Sequence, residues 1–386
     1  MGAKEYSRTR EGQQQVHHTQ VSRIAGFIGD PVLRLRYLQA VAPNPLIPRS
    51  LTGRRLRRWV LWFGILAALL VPFLMKLAVG RPNPPLPHVR PAVSRPAPFG
   101  PATSITPVWQ VERTGDSEVY SNGLRIDTRY VIANQARSYL VFPQDTMHNR
   151  GPFARTQPAG IVYHTTESCQ APFEAQDTPV LKRLGESVLA YVRRKRAYHY
   201  VIDRFGRVFA LVAEPDVAFH AGHSVWAGDG WLYLDLNSAF LGVAFEAQTG
   251  EPQSALSPAQ VRAGAMLTEM LRSRYQIPAG NCVTHAQVSV NPSRMLIGYH
   301  TDWSAGFPFA ALGLPDNYQR PLPALWAFGF NYDPYWFRRA GNSLSAGVEL
   351  AEQELARRAA AAHLRPEAYR KTLQKQYRTL LAQARR

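Results

Sequence analysis

At 386 residues the chain can hold one sizeable domain plus appended segments. Lys and Arg outnumber Asp and Glu 45 to 27, a formal net charge of +18, which draws it to anionic polymers such as nucleic acid, anionic lipid or acidic wall glycan. No zinc-finger spacing, RNA-binding aromatic signature or Walker-type Gly-Lys motif directs that charge to nucleic acid, and two cysteines, Cys169 and Cys282, are too few for a disulfide scaffold or a four-Cys zinc site.

In chain order, residues 1–58 read as a basic, mostly polar tail. "VSRIAGFIGDPVLRLRYLQAVA" could form a short amphipathic segment there, interrupted at Asp30-Pro31. Trp59 to Met75 carries no charge, and with Lys76 snorkelling the apolar run extends to Val79. That length is about what a bilayer requires. Arg49, Arg54, Arg55, Arg57 and Arg58 flank its N-terminal side, so the positive-inside rule places the tail in the cytoplasm and the rest outside. The expectation is a single-pass inner (cytoplasmic) membrane protein whose main domain lies in the periplasm or outside. Residues 80–107 are proline-rich, which favours an extended stalk over helix or central strand.

From 108 to 335, with a core at 155–305, strand and helix signals alternate. "GIVYHTT" is a short apolar run ending in polar residues, as a buried strand would. Thr178–Lys195 repeats Val180, Leu181, Leu184, Val188, Leu189 and Val192 at helical spacing. "YHYVIDRFGRVFALV" carries a hairpin signal at Gly206. "AFLGVAFEAQ" reads as another strand, and Ser257-Pro258 opens a second long helix. The expected fold class is α/β, a mixed central β-sheet flanked by helices. Residues 336–386 read as two helices divided at Pro366, either packed on the domain or serving as a partner- or wall-binding appendage.

Chemistry concentrates in Val283–Trp303. His285 follows a strand-like "NCVT", and Asp302 lies on "GYHTDW". His164 ends the "GIVYH" strand. Residues far apart in sequence can meet at one edge of a sheet, and two imidazoles with one carboxylate form a standard catalytic zinc set with an open fourth position. The plain alternative is a surface loop between two strands. Cys169 and Cys282 lie near His164 and His285 in sequence, so either one bridge or two free thiols is open.

Over Gly160–Trp303 the chain resembles the type 2 N-acetylmuramoyl-L-alanine amidases, which share a fold with phage lysozyme-type amidases and animal peptidoglycan recognition proteins. The matching stretches are "GIVYHTT", "RAYHYVIDRFGRVF", "AFHAGHS", "NSAFLGVAFEA", "SPAQVRAGAMLTEMLRSRYQIPAGNCVTH" and "HTD", in family order. The resemblance implies Zn2+ held by His164, His285 and Asp302, Tyr198 as an active-site tyrosine and His220 in the substrate cleft. It implies peptidoglycan as substrate, cut at the amide between N-acetylmuramic acid and L-alanine. Phe219 stands where the family motif has Trp. Ala244 stands where several members have Glu, with Glu246 two residues later on the same strand face, so Glu246 is a candidate catalytic carboxylate whose role stays open beside Tyr198. His300 stands where many have Lys, and it is expected to assist at a developing oxyanion. Arg294, in the longer His285–Asp302 connection, is a candidate partner for a stem-peptide carboxylate. The alternatives are a non-catalytic peptidoglycan-binding module and a basic membrane-to-wall tether.

Overall fold

The computed structural model describes residues 105–144, 151–248, 256–333 and 342–385. All fall within one unit, Ala97–Arg386. The tail, the apolar run at 59–79 and residues 80–104 of the stalk lie outside the described residues. Among those described, no helix is long and apolar enough to cross a membrane.

The strands are β1 (Gln110–Arg113), β2 (Ser117–Tyr120), β3 (Arg125–Asp127), β4 (Tyr139–Pro143), β5 (Phe153–Arg155), β6 (Gly160–Thr165), β7 (Tyr200–Ile202), β8 (Val208–Ala210), β9 (Trp226–Gly228), β10 (Trp231–Tyr233), β11 (Phe240–Phe245), β12 (Cys282–Thr284), β13 (Val290–Asn291) and β14 (Leu296–Ile297). The helices are α1 (Thr178–Lys195), α2 (Leu236–Ala239), α3 (Pro258–Tyr275), α4 (His285–Val288), α5 (Pro323–Trp326), α6 (Asn342–Ala361) and α7 (Pro366–Ala384). The main sheet runs β1-β2-β3-β8-β7-β11-β6-β12. Its strands β7, β11, β6 and β12 are parallel, and the β7–β8 hairpin and the β1–β3 meander add antiparallel pairs. The expected mixed sheet flanked by helices is therefore present.

β6 and β11 are buried at every position, which explains their near-continuous apolar runs. On one face Tyr163 and Phe245 pack with Leu267, Met270 and Leu271 of α3. On the other, Ala244 and Val201 pack with Val188, Leu189 and Val192 of α1. Of the apolar positions expected to line α1, Val180 faces outward and Gly185 takes a buried place instead. Gly206 has φ +78°, and a Cβ there would lie 2.6 Å from the Ala259 carbonyl, so the β7–β8 turn requires glycine.

A second, antiparallel sheet, β5-β4-β10-β9, was not expected. Its β9–β10 hairpin turns at Asp229-Gly230, both at positive φ, a local signal that was not read from the sequence. Its β4–β10 pair, which sets Pro143 opposite Trp231, has no local pattern to mark it. It packs Val141, Trp226 and Tyr233 against Val162 and Phe240. Beyond it Leu344, Val348 and Ala351 of α6 and Tyr377 of α7 close a further core with Leu325, Phe328 and Phe330. α7 begins at Pro366, and that shared core packs both C-terminal helices on the domain. Both cysteines are free thiols, Cys169 exposed and Cys282 buried.

The start of α3 is set by a capping box. Ser257 accepts from the Gln260 N–H and the Gln260 side chain accepts from the Ser257 N–H. The Ser257 hydroxyl also donates to the Arg204 carbonyl at 2.9 Å. Replacing Ser257 with Ala is expected to cost ~1–2 kcal/mol, read as a lower urea midpoint with an unchanged m-value.

Candidate metal centre

The parallel strands bring the site together. His164 is the fifth residue of β6 and lies in register with Ala244 of β11. β12 pairs with β6 so that Thr284 lies opposite Tyr163. The chain then turns into α4 with His285 as its first residue, held by a Thr284–Gln287 capping box. The β13–β14 ribbon carries the chain out and back, and the Ala286 N–H donates to the Asp302 carbonyl at 3.1 Å. Both histidines thus sit at the carboxyl edge of a parallel sheet, where ligand sites of such sheets form.

Both imidazoles aim Nδ1 at Asp302. His164 Nδ1 lies 3.2 Å from Asp302 Oδ2, and His285 Nδ1 lies 2.9 Å from Oδ1 and 3.1 Å from Oδ2. Donor atoms of the three side chains all lie within 4.8 Å of one another. Tetrahedral ligands ~2.0–2.1 Å from zinc stand about 3.4 Å apart, so the spacing fits that ion. The protonation states fit as well. Burial, then repulsion from His285, pushes His164 down to about 4, so it is neutral at pH 7. Burial raises the Asp302 carboxyl, but His285 and His164 outweigh it and hold it well below the usual carboxylate range. Two neutral nitrogens and one anionic oxygen suit a divalent cation. With Nδ1 of His285 turned inward, its buried Nε2 is left without a partner.

Behind His164 stands His220. Its Nε2 lies 3.3 Å from the Phe240 carbonyl, and its Nδ1 lies 3.1 Å from His164 Nε2. A carbonyl only accepts, so His220 carries its proton on Nε2 and accepts at Nδ1 from His164 Nε2–H. That leaves the His164 Nδ1 lone pair free for a cation. Gly242 makes room: a Cβ there would lie 2.6 Å from the His220 ring. Arg137, buried beside it, also donates to the Phe240 carbonyl at 3.3 Å. His220 is only 6% exposed with both nitrogens engaged. The structure thus places His220 behind His164, where it supports a metal donor. This relay, with Arg137 and Gly242, was not read from the sequence, because only the fold brings Phe240 and Gly242 to the His220 ring.

Tyr198 lies beside the donors, its ring 5.0 Å from that of His164. Burial raises its hydroxyl well above the ordinary phenol value, so it stays protonated. His300 stacks on His285 at 4.4 Å and 21°, its backbone N–H held by Ser289 Oγ. The structure also places the two remaining candidates, Glu246 and Arg294. Glu246 is 2% exposed. Its carboxylate accepts from the Arg204 N–H at 3.2 Å and faces Gly185 of α1, so its bonds are structural. Burial raises it from 4.5 to about 7. Arg294 sits exposed in the β13–β14 turn, its N–H bonded to Asn291 Oδ1.

Residues 154–303 match the family described as N-acetylmuramoyl-L-alanine amidase. Among solved structures, AmiD of E. coli, in complex with anhydro-N-acetylmuramic acid-L-Ala-D-gamma-Glu-L-Lys, is 20% identical; 57% of this chain and 90% of that one are covered, with a TM-score of 0.34. AmpDh3 of Pseudomonas aeruginosa, in complex with anhydromuramic pentapeptide, is 22% identical over 40% of this chain, with a TM-score of 0.31, and the chain spans 58% of its length. The amidase LysC of Clostridium intestinale is 18% identical, covering 47% of this chain and 93% of that one, with a TM-score of 0.26. No curated protein matches the chain.

Two outcomes follow from the geometry. His220→Ala is expected to weaken zinc binding about 10–100-fold in chelator competition at pH 7. Glu246 is expected to make stability fall with rising pH. Its raised value means the folded state keeps a proton that the unfolded chain releases from about pH 4.5. That stabilisation is full below 4.5 and lost as pH rises through about 7. Relative to Glu246→Gln, the wild type should lose up to about 3 kcal/mol between pH 4.5 and 8 in urea titrations.

Proposed function

We propose, from the membership of residues 154–303 in the type 2 N-acetylmuramoyl-L-alanine amidase family, that the chain is a zinc-dependent peptidoglycan amidase. It hydrolyses the amide between the lactyl group of N-acetylmuramic acid and L-alanine. The convergence of His164, His285 and Asp302 on one point carries this reading. A complete donor set also favours hydrolysis over binding alone.

Zinc held by those three residues supplies Lewis acidity for the scissile carbonyl and for the attacking water. The chain's own groups do the rest. Asp302 offsets the cation's charge, and His220 holds His164 in its donor tautomer. Tyr198, a phenol that stays protonated, donates toward the oxyanion that develops as water oxygen joins the carbonyl carbon. The C–N bond then breaks, and a proton from the water ends on the L-alanine nitrogen. His300, stacked on His285, is the imidazole next to the centre that can carry that proton.

The apolar run at 59–79 and the proline-rich stalk support an anchored enzyme. In this reading the N-terminus is cytoplasmic, one helix crosses the inner membrane, and the catalytic domain faces the wall in the periplasm or outside.

His164→Ala is expected to lose both bound zinc, by elemental analysis, and muropeptide cleavage, by mass spectrometry of digested peptidoglycan. Full cleavage by that variant would remove the reading. Tyr198→Phe should keep its zinc and lower kcat about 10²–10³-fold.

A further inference from the structure

α1 ends in four consecutive cations, Arg193, Arg194, Lys195 and Arg196, all exposed. A helix C-terminus carries the equivalent of about half a negative charge, so the macrodipole accounts for at most one of them. No carboxylate among the described residues forms an ion pair with any of the four. Two exposed aromatics stand with them. Tyr191, 49% exposed, lies under Arg194 at 5.4 Å, and Phe219 is 55% exposed. The Phe219 N–H donates to the Arg196 carbonyl at 2.8 Å, which ties the basic turn to the segment that carries His220. Tyr198, whose ring lies 5.0 Å from that of His164, follows two residues after Arg196. The basic, aromatic face thus adjoins the metal centre.

We propose that this face docks the polymeric form of the substrate: a glycan strand bearing stem peptides, on which carboxylates recur along the chain. The inference rests on the amidase reading and narrows its substrate class to strand-attached over small soluble fragments. The cations meet carboxylates of stem peptides next to the one being cut. Tyr191 and Phe219 offer flat apolar surfaces to sugar rings. A single soluble muropeptide, seated at the zinc donors, does not reach past them, so the docking face does not act on it.

The test replaces Arg193, Arg194 and Lys195 together with Ala in the full chain. Arg196 is left alone because it holds φ +51°. A charge-matched control replaces Lys371, Lys375 and Arg378, which form an exposed stripe on α7. Cosedimentation with purified sacculi, and turnover of sacculi and of a soluble muramyl-tripeptide, are measured from low to high salt. The expected result is a loss of at least about tenfold in sacculus binding and turnover for the α1 variant at low salt. The difference should shrink as salt screens the charges. Soluble turnover should stay within about twofold, and the α7 control should match wild type. Unchanged sacculus binding, an equal fall on the soluble substrate, or an equal loss in the α7 control overturns the proposal. So does loss of binding to anionic phospholipid vesicles with sacculus binding intact, which would make the face a membrane contact. Cosedimentation needs no turnover, so a wild-type chain that binds sacculi through these residues and cuts nothing would sink the amidase reading alone.

Discussion

The site depends on where two protons are kept. A carboxylate and two imidazoles sit within a few ångströms of one another at a nearly closed point, and His164 is 1% exposed. A buried imidazolium is costly, so the fold must keep His164 neutral and also decide which nitrogen bears the hydrogen. It does so by a chain of single-choice partners. The Phe240 carbonyl can only accept, so His220 donates from Nε2; His220 then accepts at Nδ1, so His164 donates from Nε2. Each step leaves one answer, and the last is a lone pair aimed at Asp302.

That relay needs the sheet. Gly242 lies two residues before Ala244, the register partner of His164, on the same face of β11. The absence of a side chain at Gly242 lets the His220 ring lie against the strand. Arg137 steadies the same region by donating to the carbonyls of Glu214, Asp216, Ser238 and Phe240. Its guanidinium is buried, which pushes it down to about 10. Such a group is stabilised only where several acceptors converge. Arg137 thus reaches the centre through backbone carbonyls, not as a donor to it.

Legibility in the sequence tracked the range of the interaction. Elements fixed by local chemistry could be read directly: the Ser257-Pro258 helix start, the Gly206 turn, the apolar runs of β6 and β11, and the helix at Pro366. The donor set could be read because His164 and His285 end buried runs in a strand–helix order that forces them to one sheet edge. The second sheet was not read: its strands are short, its central β4–β10 pair joins Pro143 to the distant Trp231, and the Asp229-Gly230 turn of β9–β10 is a brief signal between three-residue strands. The place of His220 could not be read either. "AFHAGHS" marks the residue as chemically loaded, but whether its ring faces substrate or a neighbouring imidazole depends on Phe240 and Gly242, which only tertiary structure brings close. The position of Arg294 was open for a related reason: a basic residue in an extended connection can be drawn inward or left at a turn, and the two-residue strands β13 and β14 leave it exposed at the turn.

Glu246 shows what a two-residue displacement does to a carboxylate. The position in register with His164 is Ala244, and the methyl group there packs with Val188, Leu189 and Val192 of α1. A glutamate at that point would bring a second anion to a centre that already holds Asp302. Moved to Glu246, the carboxylate instead meets Gly185 and the Arg204 N–H, and burial carries it to about 7. It has become part of the joint between α1 and the β7–β8 turn. The groups left beside the donors are the Tyr198 phenol and the His300 imidazole. In this chain the described centre therefore holds one fixed anion, with a protonated phenol and an imidazole beside it.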